Sequence, residues 1–135
     1  MARRARLDPA GDQPNDPLAE VRRLCLALPD VNERLSHGSP TFFIRDKKTF
    51  VMFVDDHHGD GIVGIWCAAP VGVQEVLVAE EPHRFFRPPY VGHRGWIGVR
   101  LDRDPDYDEL ALIVEEAFKT VAPKTLVARL PARDA

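Results

Sequence analysis

Apolar residues recur along this chain with two periods, and the switches between them mark out the elements. Leu18, Val21, Cys25 and Leu28 fall at helical spacing and make one apolar face, with Glu20 and Arg23 off it. Asp16 is placed to cap that helix, Pro17 suits its first position, and Pro29-Asp30 predicts its end. Residues 31–37 and 41–45 read as two short extended segments around the break Gly38-Ser39-Pro40. A polar turn, Asp46-Lys47-Lys48, leads into residues 49–54 (TFVMFV), which are apolar on both faces as a central strand should be. DDHHGDG at 55–61 predicts a loop. Residues 62–67 (IVGIWC) predict the returning strand, with Gly64 marking a bulge or a close backbone approach. Phe50 and Trp66 should therefore be buried on neighbouring strands.

Pro70 is expected to open a second helix, with Val73, Val76 and Leu77 on one side. Glu80-Glu81 near its end oppose the helix dipole, so packing must hold it. After Pro82 come a short strand at Phe85-Phe86, a break at Pro88-Pro89, a turn over 92–95, and a strand over 96–101 anchored by Trp96. The last helix is expected to use Asp104 as cap and Pro105 as first residue, with Asp106, Asp108 and Glu109 in its first turn. Leu110, Ile113, Val114, Ala117 and Val121 form its buried stripe, Pro123 kinks or ends it, and Leu126, Val127 and Leu130 predict one more turn. The order predicts an α+β fold: an antiparallel sheet packed by N- and C-terminal helices, in a single domain over 15–131. Residues 1–14, with Arg3, Arg4, Arg6 and two prolines, read as a disordered basic arm.

Composition adds limits. A chain of 135 residues, 44% hydrophobic and 29% charged, is one soluble globular domain and a monomer by expectation. The formal net charge of -3 argues against a general nucleic-acid binder, whose footprint is basic. No stretch approaches the roughly 18 apolar residues of a membrane span. MARRARLDPAG lacks the apolar core of a secretory signal, so a cytoplasmic protein is expected. Cys25 and Cys67, each in an apolar run, read as buried thiols.

Against the acidic background one run is cationic. Residues 82–100 (PHRFFRPPYVGHRGWIGVR) hold Arg84, Arg87, Arg94, Arg100, His83 and His93 with no acid, and Phe85, Phe86, Tyr90 and Trp96 are interleaved with them. Such a run suits phosphate contact with base stacking, and equally a hairpin with its aromatics inward and its arginines in water. Gly92 and Gly95 bracket His93-Arg94 and would present that pair at a turn tip. DDHHGDG gathers metal-ligand types, yet adjacent loop residues point apart; it reads as a polar hairpin loop, and no metal or other cofactor is expected. Nothing beside Cys67 would lower its pKa, so it is no nucleophile. His37 reads as a general base on a site rim or as a histidine holding a turn.

Several of these segments, taken in order, resemble the MmcQ/YjbR family. Gly38-Ser39-Pro40-Thr41-Phe42 is similar to its G-x-P-x-F element, and Lys48-Thr49-Phe50-Val51 to the K-x-F strand that follows. Phe86-Arg87-Pro88-Pro89-Tyr90 with His93, and Trp96-Ile97-Gly98-Val99, resemble its proline-tyrosine turn and W-hydrophobic strand; Ala122-Pro123 near the end is also similar. The resemblance implies a CyaY-like fold and the family's description as DNA-binding with a "double wing" arrangement. It supplies no catalytic residues. Two functional expectations follow. The first is a non-enzymatic DNA-binding module using Arg84, Arg87, His93, Arg94, Lys47 and Lys48 in weak, salt-dependent contacts. The second is a small-molecule-binding or resistance protein, with an enzyme as one form of it, whose cleft is lined by His37, Phe42, Tyr90 and Trp96.

Overall fold

Asp16 caps the first helix, α1 (Pro17–Leu26), as its position predicts: its Oδ1 accepts from the N–H groups of Leu18 and Ala19. The computed structural model describes residues 16–131, so the basic arm expected over 1–14 lies outside the described residues. α1 stops at Leu26, ahead of Pro29, and six strands follow: β1 (Val31–Ser36), β2 (Ser39–Ile44), β3 (Lys48–Asp55), β4 (Val63–Cys67), β5 (Phe85–Phe86) and β6 (Ile97–Arg100). α2 (Val73–Glu80) separates β4 from β5, and α3 (Tyr107–Val121) and α4 (Lys124–Val127) close the domain. The fold is α+β. One antiparallel sheet runs in the order β1-β2-β3-β4-β6-β5.

Strand pleating sorts the sheet into two faces. Phe42, Val51, Cys67 and Ile97 stand side by side across four strands, with Phe53, Ile65, Val99 and Phe85 in the next row. This face carries the helices: Val21 and Cys25 of α1 and Leu110, Val114 and Phe118 of α3 complete the core. A bulge between Phe42 and Phe43 turns Phe50 onto the same side, where its ring meets Phe118 edge-on at 5.8 Å. The opposite face carries the row Thr41, Met52, Trp66, Gly98 and Phe86. Gly98 must be bare, because a Cβ there would lie 2.3 Å from the Phe86 ring. Gly64 is bare because β6 approaches closely: a Cβ would lie 2.3 Å from the Val99 carbonyl oxygen. Phe50 and Trp66 are both buried on adjacent strands, as expected.

Two helix starts differ from the sequence reading. Pro70 does not open α2; the chain first turns through Gly72, at φ +90°, and helix begins at Val73. Val73 and Leu77 pack against the core as expected, but Val76 is 52% exposed and the buried residue of the helix is Gln74. Asp104 does not cap α3; it takes a left-handed φ of +54° and passes the role to Asp106, whose Oδ1 accepts from the N–H groups of Asp108 and Glu109. Pro105 therefore precedes the helix, and Pro123 stands between α3 and α4.

Because all neighbouring strands are antiparallel, the sheet has two distinct ends. The β2–β3 turn, Ala68 after β4, and the start of β6 share one end, which we call the first. The β1–β2 turn, the loop between β3 and β4, and the chain leaving β6 share the second.

Candidate functional site

Strand direction divides the cationic run between the two ends. Arg84 precedes β5 and Arg87 follows it, so three residues of sequence carry them to opposite ends of the sheet. Arg84, at the second end, is held between Glu81 and Glu109, and these hydrogen bonds raise its pKa above the usual arginine value. Arg100, also there, binds both carboxylate oxygens of Asp102 at 3.0 Å and keeps that carboxyl below its usual range. Arg84 therefore drops out of the candidate nucleic-acid contacts: its charge is matched by two carboxylates.

At the first end the cations are left over. Among the described residues, Lys47, Lys48, Arg87, Arg94, Arg103 and Lys124 are the lysines and arginines without an ion-pair partner. Lys47 and Lys48 occupy the exposed β2–β3 turn, and His93 and Arg94 the exposed 3-10 turn Gly92–Arg94 just before β6. β3 and β6 are separated only by β4, so the strands that carry the two turns lie two spacings, about 10 Å, apart across the sheet. Asp30 and Asp46 are nearby, but Arg45 with Arg129, and Arg34, already hold them and lower their pKa values. Arg103, also unpaired, lies past β6 at the second end, where Asp55, Asp56, Asp60, Asp102 and Asp104 gather. The net charge of -3 thus conceals a separation of charge along the strand axis.

Gln74 holds the second cationic turn in place. It is 4% exposed, and its Nε2 donates to the carbonyl oxygens of Gly92 at 2.8 Å and Trp96 at 2.6 Å, one at each side of the turn. Its Oε1 accepts from Arg87 Nη1 at 3.0 Å, so all three sides of the buried amide are satisfied. Arg87 lies along Gly92, where a Cβ would come within 2.7 Å of the arginine Cγ. Arg87 is exposed as expected, but it also braces the turn. Arg94 extends over the Trp96 ring, its guanidinium carbon 5.1 Å from the centroid. Gln74 was missed because a single glutamine in a short apolar helix carries no sequence signal of what its amide will meet.

The residues of the expected cleft do not converge. Phe42 is fully buried beneath the helices and Trp96 is buried at the first end. His37 caps the β1–β2 turn at the second end, exposed, at φ +53°, with Nδ1 3.2 Å from Ser36 Oγ. Tyr90 alone is an exposed aromatic of that set. A separate hollow of about 240 Å³ lies between α2 and α3, lined by Ala69, Val73, Leu77, Phe85 and Leu112. Its two glutamates, Glu109 and Glu116, turn to Arg84 and Lys119, so no unpaired polar group points into it.

Tyr90 instead joins a group on the face opposite the helices. The loop after β3 folds back as a 3-10 turn, His57–Gly59, and lays the His57 ring edge-on to Trp66 with centroids 4.8 Å apart. Tyr90 closes on both, 6.1 Å from His57 and 6.4 Å from Trp66. DDHHGDG therefore splits: His57 packs on an aromatic, while Asp56 and Asp60 accept from the N–H groups of Gly61 and Ile62. Among the described residues no three His, Cys, Asp or Glu side chains gather as metal ligands. Both thiols lie in the core, where burial pushes Cys67 up to about 12 and Cys25 well above its ordinary value. No helix among the described residues is long and apolar enough to cross a membrane.

No curated protein matches the chain. In three dimensions it is similar to the crystal structure of Deinococcus radiodurans protein DR2400, a DUF419 domain, with a TM-score of 0.65 over 80% of each chain and 16% identity. At that identity the likeness establishes the fold. The family model for YjbR matches residues 26–120, from the end of α1 through most of α3. This is well over half of the chain and includes both cationic turns, Gln74 and the aromatic group. The chain belongs to the YjbR family.

Proposed function

We propose that this protein is a non-enzymatic nucleic-acid-binding module that meets the phosphate backbone with the first end of its sheet. Lys47 and Lys48 act from one turn and His93 and Arg94 from the other, with Arg87 bracing the second turn from Gln74. The observation that carries this reading is the axial separation of charge: after ion pairing among the described residues, Lys47, Lys48, Arg87 and Arg94 remain at one end. A surface of this kind binds phosphates through counterion release and carries no base readout of its own.

A salt titration tests it. The slope of log K against log salt falls by roughly 0.9 for each phosphate neutralised on a random duplex. Lys47→Ala with Arg94→Ala removes one charge from each turn, so the slope magnitude should drop by about 2 and all sequences should weaken alike. Neither side chain holds an acid or opens a core cavity, so the variant stays folded. If the wild type shows no binding at about 50 mM salt, where non-specific contacts are strongest, the reading fails.

A further inference from the structure

Two polar atoms in the aromatic group are buried and have no hydrogen-bond partner: Trp66 Nε1 and His57 Nε2. They belong to touching rings on the helix-free face of the sheet. Trp66 is 3% exposed, and its indole N–H is a donor only, which in a protein interior normally finds an acceptor. The rings meet edge-on at 76°, a geometry that supplies at most a weak N–H···π contact, and neither atom meets an oxygen or nitrogen of the chain. The third ring, Tyr90, is 69% exposed and stands across the same spot. Its backbone is left-handed at φ +65°, a posture uncommon for a large side chain and one that surrounding structure must hold.

We propose that His57, Trp66 and Tyr90 form a binding site for a planar, carbonyl-bearing heterocycle, the chemistry of a nucleobase. The ring stacks against Tyr90, which moves to admit it, and its carbonyl oxygen accepts from Trp66 Nε1–H. His57 Nε2 makes the second polar contact, as donor or acceptor according to its tautomer. Stacking of this kind tolerates many rings, while the indole donor requires an acceptor on the ring edge. The heterocycle can come from a free nucleoside or from an unpaired position in a strand. In the second case the site extends the phosphate contacts proposed above; in the first it stands without them.

The test follows the Trp66 indole N–H resonance of the ¹⁵N-labelled full chain, assigned with Trp66→Phe. The probes are uridine, an oligothymidylate, and an abasic phosphodiester of the same length. The proposal expects the resonance to shift with a base-bearing probe and to stay still with the abasic strand. A shift with uridine identifies a free ring as sufficient; a shift with the oligothymidylate alone identifies a strand as the source. Tyr90→Ala should weaken binding about tenfold, while Tyr90→Phe, which keeps the wall, should retain it. His57→Ala should weaken it by a similar factor with an unchanged melting temperature. If the indole resonance ignores every base and shows only exchange with a bound water, the proposal is overturned. Duplex binding at low salt would then still be judged on its own titration, so the two failures are distinguishable.

Discussion

The two ends of the sheet are built from similar side chains and reach opposite electrostatic states. At the second end Arg84 and Arg100 each close on carboxylates, and the aspartates of the β3–β4 loop and the start of α3 surround them. At the first end Arg34, Arg45 and Arg129 take up Asp30 and Asp46, and the cations of both turns remain unmatched. A cationic run in a sequence is therefore not a cationic surface. Arg84 and Arg87 belong to one run, yet the two residues of β5 between them send one to a pair of glutamates and the other to a buried amide.

Both ends rest on the same core, and the largest effect should come from cutting into it beneath the first. Phe50→Ala removes the ring that packs on Phe118 and should cost about 3–5 kcal/mol in denaturant unfolding. A loss under about 1 kcal/mol would contradict the placement of the bulge. Gln74→Ala should cost about 1–3 kcal/mol, because it leaves the Trp96 carbonyl without its donor and the Gly92 carbonyl with the Gly95 N–H alone. Amide hydrogen exchange should then quicken over 87–96 while β3 and β4 stay protected; uniform loss of protection would mean that Gln74 supports the whole fold and not this turn.

Smaller effects sharpen the contrast. Glu109→Gln at the second end leaves Arg84 with Glu81, and the partly exposed pair it removes should be worth at most about 1 kcal/mol. A larger loss in a thermal melt would show that the acidic end is structurally tighter than its exposure indicates. The smallest expected signal concerns the thiols. Cys67 is raised from 9.0 to about 12 by burial, so as pH rises the unfolded thiol ionises first. Its stabilising contribution is complete below pH 9 and is lost as pH climbs toward 12. At neutral pH iodoacetamide should label neither cysteine until denaturant is added; rapid labelling of the native protein would refute their burial.

Local chemistry determined much of this molecule. The cap at Asp16, the stripe of α3, the apolar β3 and the close approach at Gly64 follow from residue type and spacing, because each depends on neighbours within a few positions. The two missed helix starts are failures of the same local kind: Pro70 and Pro105 both fit a first turn, but the chain had still to bend, through Gly72 and Asp104, before helix could begin. The cationic turns were also visible as sequence, as was the exposure of His93 and Arg94. Which cations survive pairing was decided by strand direction and by Glu109, twenty-five positions beyond Arg84. His57 came to rest on Trp66, Tyr90 across both, and Gln74 beneath the turn only once the sheet was assembled. A side chain's partner there is set by register and by which loop folds onto which face, and neither is encoded in the few residues on either side of it.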